Sequence, residues 1–254
     1  MWNGRTISVI LPAYNEAPGI RRAVEEFSSV EIVDEVVVVD NNSTDGTHEE
    51  VALSGARLVQ ERRQGFGYAL QRGLREAKGN LLVLAEPDGT FMARDIFKLV
   101  AYAEDFDLVC GTRTTRELIW QKANMGWLLR FGNVAVAKLL ELLHGGPSLS
   151  DCGCTFRAIR REALDRIQEQ FTVGGSHFLP EMTILALQAG LRVIEIPVNY
   201  RSRVGESKIT GSLKGMVVTG TRMIWLILHR RLTPGRPCRA RRARQEERPD
   251  VRVP

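Results

Sequence analysis

Short apolar runs alternate with helically spaced ones along the first half of the chain. ISVILP, EVVVVD, ARLVQ, LLVLA and DLVCG have strand length and are rich in β-branched and aliphatic residues, which predicts five strands. Residues 21–27, 47–53, 68–77 and 95–103 between and after them repeat apolar positions every three or four residues and predict helices. Strands that are apolar on both faces need helices on both sides, so the pattern predicts an α/β class with a mostly parallel sheet. The second half changes character. WQKANMGWLLRFGNVAVAKLLELLH, residues 120–144, reads as one or two long helices; the loop GGPSLSDCGCTF follows, then a helix over about 180–189 and the strand-like RVIEIPVNY. No internal repeat or low-complexity tract interrupts this order, and the compositional break is a basic stretch after about residue 231.

The chain has 254 residues, 44% of them hydrophobic, which is enough to bury a substantial core and excludes general disorder. Its 35 Lys and Arg against 30 Asp and Glu give +5, and RRLTPGRPCRARRARQEERPDVRVP supplies much of that excess. A basic tail suits an anionic membrane surface or solubility as well as nucleic acid. Cys110, Cys152, Cys154 and Cys238 lack the spacing of metal ligands, so a reduced, structural role is expected for the CxC pair. MWNGRTISVILP reaches a strand without a leader-like apolar region, so no signal peptide is expected. MVVTGTRMIWLIL, residues 216–228, contains Arg222 and is shorter than the roughly 20 residues of a membrane-spanning helix.

Ligands of parallel sheets bind beyond the carboxyl ends of the strands, and three such ends carry polar chemistry. ILP runs into AYNE, VVVVD into NNSTDGT, and LVLA into EPDGTF. The carboxylates of Glu86 and Asp88 point the same way only if the chain turns, and Pro87 with Gly89 supplies a turn. Such a pair can hold a hard divalent cation on a diphosphate; alternatively Glu86 caps the turn and Asp88 caps the helix that follows. Asp40 can accept a hydrogen bond from a nucleobase imide or a ribose hydroxyl, or simply close a buried strand. Gly65 and Gly67, just before a helix, can let backbone amides approach phosphate or can form an ordinary turn. The GxGxxG and GxxxxGK[ST] phosphate loops are absent, which counts against dehydrogenase and P-loop chemistry.

Taken in order, PAYNE (residues 12–16), VVVVDNNSTDGT, QGFGYALQRGLREAKG, LVLAEPDGTF, GCTFRAIRREAL, FLPE and YRSRVGESK resemble the inverting GT-A glycosyltransferases of family 2. Within that family they look most like the dolichyl-phosphate and polyprenyl-phosphate mannose or glucose synthases, over about residues 7–208. The resemblance implies a GT-A fold: one catalytic domain over 1–230, with a nucleotide-sugar half at 1–113 and an acceptor half at 114–230, then a basic tail at 231–254. It implies that Pro12, Tyr14, Glu16, Asp40 and Gly65 line the nucleotide pocket, with Glu16 and Asp40 facing ribose and base. The family's DxD motif falls on Glu86, Pro87 and Asp88, so Asp88 and Glu86 would bind Mg or Mn; Glu86 stands where Asp is usual.

By the same resemblance Arg113, Arg130 and Arg203 bind acceptor and donor phosphates, and Ser207 and Lys208 continue the last motif. Arginine suits this because its planar fork grips phosphate oxygens and stays charged, although Arg130 also fits an ordinary helix-surface role. Glu181 falls near the family's catalytic base and Asp151 faces the acceptor; alternatively Glu181 pairs with an arginine such as Arg201. Trp127, Leu128, Phe131, Val134, Ala135, Leu139 and Leu142 share helical spacing, which fits either a membrane interface or a core. The expected activity is metal-dependent transfer of a sugar from a nucleotide-diphosphate donor to a polyprenyl phosphate, with Asp88, Arg203 and Glu181 as the catalytic residues and no nucleic acid involved. A soluble transferase acting on a small-molecule hydroxyl is the alternative, and a non-catalytic nucleotide-sugar-binding scaffold is a third reading that Glu86 permits. The expected location is the cytoplasm or the cytoplasmic face of a membrane.

Overall fold

The computed structural model describes residues 1–120, 127–203 and 213–233. Ser207, Lys208 and the basic stretch beyond residue 233 lie outside the described residues, as do the side chains of Trp127, Leu128 and Met216. The strands are β1 (Ile7–Ala13), β2 (Glu35–Asp40), β3 (Arg57–Gln60), β4 (Leu81–Leu84), β5 (Leu108–Thr112), β6 (Arg157–Arg160) and β7 (Val193–Pro197). The helices are α1 (Ala17–Ser28), α2 (Thr47–Ala52), α3 (Phe66–Glu76), α4 (Ile96–Tyr102), α5 (Trp127–His144), α6 (Arg161–Asp165), α7 (Phe178–Gln188) and α8 (Leu213–Leu232). The strands form one sheet in the order β3-β2-β1-β4-β6-β5-β7.

The four-valine run of β2 shows why the sheet needs two helical layers. Side chains alternate across a strand, so Val36 and Val38 join one core with α1, α2 and α4, while Val37 and Val39 join the other with α3, α6 and α7. Glycine lets α3 press close: a Cβ on Gly73 would lie 2.3 Å from a methyl of Ile10. A third cluster, built from Ala137 and Leu140 of α5, Ile184 of α7 and Ile227 of α8, binds the late helices together beside the sheet. Cys152 belongs to this cluster and Cys154 to the first core, so the CxC pair packs structurally as expected. Burial raises both thiols, Cys152 to about 12.

Strand β6 has no counterpart in the apolar pattern, because RAIR begins and ends with arginine. Arg157 is nevertheless wholly buried, its guanidinium donating to the carbonyls of Cys152, Cys154 and Leu179 and to the Thr183 hydroxyl at 2.6–3.3 Å. Arg160 donates to the carbonyls of Ala103 and Glu104. Satisfied in this way, arginine can occupy a position that charge alone would forbid. β6 runs antiparallel to both its neighbours, β4 and β5, whereas the other pairings are parallel. Its lead-in, residues 150–156, therefore reaches the same sheet edge as the carboxyl ends of the parallel strands.

Candidate active site

Loops after β1 and β2 are knitted together at this edge. Asn15, with a left-handed φ of 53°, accepts from the Thr44 amide at 2.8 Å and donates its own amide to Ser43 at 3.0 Å. The Glu16 amide donates to the Thr47 hydroxyl at 2.9 Å, and Asp45 accepts from Ala17 and Thr47. Pro12 is buried within β1, Tyr14 is exposed, Glu16 is half-buried, and Asp40 is buried with one oxygen on the Ser43 amide at 3.0 Å.

Asn41, which the sequence reading passed over, carries the connection to the third loop. Its amide group donates to the Glu61 and Arg63 carbonyls at 2.9 and 2.8 Å, and its oxygen accepts the Gly65 amide at 2.7 Å. The Gly67 amide donates to the Gly174 carbonyl at 2.8 Å. Both amides are thus hydrogen-bonded inside the protein, as in the ordinary-turn alternative. The glycines serve a close approach, since a Cβ on Gly67 would lie 2.5 Å from the Val173 carbonyl oxygen.

Two carboxylates meet at the end of β4. Asp88 is 2% exposed, and one of its oxygens accepts from the Thr90 amide at 3.0 Å and hydroxyl at 2.6 Å. One oxygen of Glu86 accepts from Thr155 at 2.6 Å, across from the β6 lead-in. The remaining oxygens, Glu86 Oε2 and Asp88 Oδ2, converge on Arg203: its Nη2 lies 2.9 Å from Glu86 and also contacts Asp88, and its Nε donates to Asp88 at 2.5 Å. Burial first, then the neighbouring Asp88 charge, raises the Glu86 carboxyl to about 7, against the lowering effects of Thr155, Arg203 and Arg113. The donor set is two hard carboxylate oxygens already facing a cation. This fits a divalent ion that takes few protein ligands and completes its shell with phosphate and water. No cluster of three or more His, Cys, Asp or Glu suited to a metal occurs among the described residues.

Arg113, just past β5, is held by Asp151 through a two-pronged pair, Nε to Oδ2 at 2.7 Å and Nη2 to Oδ1 at 2.9 Å, and lies 5.5 Å from the Tyr200 ring centre. Asp151 is wholly buried, so it is Arg113 and not Asp151 that can face a ligand. Glu195 of β7 fixes the loop below by accepting from the Ser150 and Asp151 amides and the Ser150 hydroxyl at 2.6–3.0 Å. A lone acid inside the apolar VIEIP was the available signal for Glu195, and Thr155 within the quoted GCTF was the signal for the Glu86 partner. Arg130 is half-buried in the first turns of α5, one turn before Asn133, whose amide group reaches Asp151 at 3.4 Å.

Glu181 is not brought to this cluster as an open base. It is 0% exposed and accepts from the Thr172 amide and hydroxyl, the Val173 amide at 3.0 Å and the guanidinium of Arg230 on α8. The sequence-level pairing with Arg201 is also corrected. Arg201 is taken by Glu26 at 2.8 Å and by the Phe91 carbonyl at 2.8 Å.

The family model for glycosyl transferase family 2 matches residues 8–168. An uncharacterised glycosyltransferase of Mycobacterium tuberculosis is 34% identical over 218 residues, 85% of this chain and 94% of that one. A dolichyl-phosphate hexose transferase of Haloferax volcanii is 28% identical over 227 residues, 89% of this chain and 96% of that one. Among solved structures, glucosyl-3-phosphoglycerate synthase of Mycobacterium tuberculosis, crystallised with Mn2+, uridine diphosphate and glucosyl-3-phosphoglycerate, superposes with a TM-score of 0.70 at 25% identity, covering 91% of this chain and 82% of that one. With the family match reaching from β1 past β6 and a GT-A neighbour sharing most of the fold, this chain belongs to glycosyl transferase family 2.

Proposed function

We propose that this enzyme transfers a sugar from a nucleoside diphosphate donor to a phosphate-bearing acceptor, and that the acceptor is a polyprenyl phosphate. The observation that carries the reading is the convergence of Glu86 and Asp88 with Arg203, and of Arg113 beside them, at one edge of the sheet. Pro12, Tyr14, Glu16 and Asp40 seat the nucleoside, and Pro87 shapes the turn that aims the two carboxylates. Glu86 and Asp88 would hold a divalent ion, Mg or Mn, which would supply charge neutralisation for the departing diphosphate. Arg203, Arg113 and Arg130, with Ser207 and Lys208, are assigned to phosphate oxygens, and Asp151 positions Arg113.

Attack by a phosphate oxygen on the anomeric carbon forms the new C–O bond as the bond to the donor's β-phosphate breaks, with inversion. That oxygen is already ionised, so no general base is required. The engagement of Glu181 with four donors agrees with such chemistry. A lipid-borne acceptor is supported by the name of the Haloferax relative and by an exposed stripe on α8: Val217, Ile224, Trp225, Leu228 and Leu232, next to His229 and Arg231. No helix among the described residues is long and apolar enough to cross a membrane. A second reading, a water-soluble phosphorylated acceptor, is favoured by the likeness to glucosyl-3-phosphoglycerate synthase.

The test incubates purified enzyme with radiolabelled UDP-glucose or GDP-mannose, Mg2+ or Mn2+, and either a short polyprenyl phosphate or 3-phosphoglycerate. Label in the chloroform phase supports the lipid acceptor, and label only in a water-soluble phosphate ester replaces it with the second reading. Transfer to a neutral sugar offered in a third incubation, but to neither phosphate, would overturn the phosphate acceptor altogether.

A further inference from the structure

We infer that Arg203 is the resident counter-cation of the Glu86–Asp88 pair, and that a divalent ion gains these oxygens only by displacing its guanidinium. This rests on the metal reading proposed above and concerns how the site is guarded. Each carboxylate has one oxygen committed elsewhere, Glu86 Oε1 to Thr155 and Asp88 Oδ1 to Thr90. The oxygens left for a metal are Oε2 and Oδ2, and a single nitrogen, Arg203 Nη2, sits against both. A metal bonded to two carboxylate oxygens at about 2.0–2.2 Å would occupy the same space between them, so the two cations exclude each other.

The placement of Arg203 is built, not incidental. Two residues earlier Arg201 is pinned by Glu26 and by the Phe91 carbonyl, and the Arg201 amide donates to the Thr90 carbonyl at 2.8 Å. The neighbouring Tyr200 bridges to Phe91 and Ile119. These contacts fix the segment after β7 over the turn that carries Asp88. When the guanidinium leaves the carboxylates it needs another anion, and the diphosphate of a nucleotide sugar is one, so metal and donor enter together and each favours the other. In the absence of donor, Arg203 stays paired with both carboxylates and lowers the affinity of the site for a bare divalent ion.

The experiment titrates Mn2+ into nucleotide-free protein at about pH 8 and counts free ion by its paramagnetic resonance signal. Arg203→Gln is expected to bind Mn2+ about tenfold more tightly than the unaltered chain, the size expected when a partly exposed charge stops competing. Equal or weaker binding by Arg203→Gln overturns the inference. Arg203→Ala gives the same readout should the glutamine variant misfold, and far-UV circular dichroism checks each. The double variant Asp88→Asn/Arg203→Gln separates the two layers: loss of the tight Mn2+ site locates it at these carboxylates, whereas its persistence sinks the metal assignment and the inference with it.

Discussion

Glu181→Ala would strip four donors of their acceptor at once: the Thr172 amide and hydroxyl, the Val173 amide and the Arg230 guanidinium. The carboxylate is 0% exposed and the Arg230 side chain 13%, so the pair lies in the buried regime, where removing one partner costs about 3–5 kcal/mol. For a domain of this size each kcal/mol lowers the melting temperature by about 2–4 °C, so the alanine variant should melt roughly 6–20 °C below the parent. Glu181→Gln keeps the volume and one acceptor oxygen but loses the charge, and should fall between the two. Thermal melts followed by circular dichroism give the stabilities, and glycosyl transfer assayed well below each melting point gives the activity. If Glu181 clamps α8 and the 172–175 loop, the glutamine variant melts early yet transfers sugar at a rate close to the parent. A general base behaves in the opposite way, with transfer falling about 10²–10⁴-fold at an unchanged melting temperature. That second pattern, or an alanine variant melting with the parent, would refute the clamp.

Three further outcomes follow from the same packing. Asp151→Asn should lose about 3–5 kcal/mol in urea unfolding and weaken transfer, because the Arg113 guanidinium would be left without its charge partner; a variant as stable and active as the parent removes the positioning role. Gly67→Ala should cost about 1–3 kcal/mol by pushing α3 off the 173–175 backbone, measurable as a lower urea midpoint, and an unchanged midpoint would show that the contact yields freely. Burial lowers the imidazole of His144, whose Nε2 meets the Ile227 carbonyl of α8, and that of His177, each from its ordinary value of 6.5. The unfolded chain then takes up protons before the folded one does, so stability declines as pH falls below about 6.5. Urea midpoints at about pH 7.5 and about pH 5.5 should differ less in His144→Asn than in the parent, and equal differences would discard this site as a source of the pH dependence.

Most strands of the sheet were legible because burial on both faces leaves a continuous apolar run, as in VVVVD, that nothing else in the chain imitates. The turn at residues 86–88 was legible because proline and glycine frame two acids at a strand end. β6 was not, since its arginines are buried through carbonyl partners that lie in distant segments, and sequence spacing carries no record of which carbonyls will gather there. The pairings hid in the same way. Asp151 and Arg113 were each assigned to ligand, yet they lie 38 residues apart and satisfy one another, leaving Arg113 as the group with an exposed edge. Glu181 was assigned to the chemistry, with a pairing to an arginine such as Arg201 only as the alternative; its partner is Arg230 on α8, and Arg201 is claimed by Glu26.

Reversing β6 gives the enzyme a detour with both ends anchored. From Arg113 the chain leaves the sheet, builds α5 and the cysteine loop, and re-enters one strand over, pointing the other way and delivering Thr155 to Glu86. An excursion of this kind can lengthen, shorten or change its surface at small cost in chain entropy while the strands stay in register. On the function proposed above, donor chemistry would sit on short, rigid strand ends and the acceptor side on this segment, which is freer to be rewritten. Relatives that glycosylate different acceptors are expected to differ most between these two anchors.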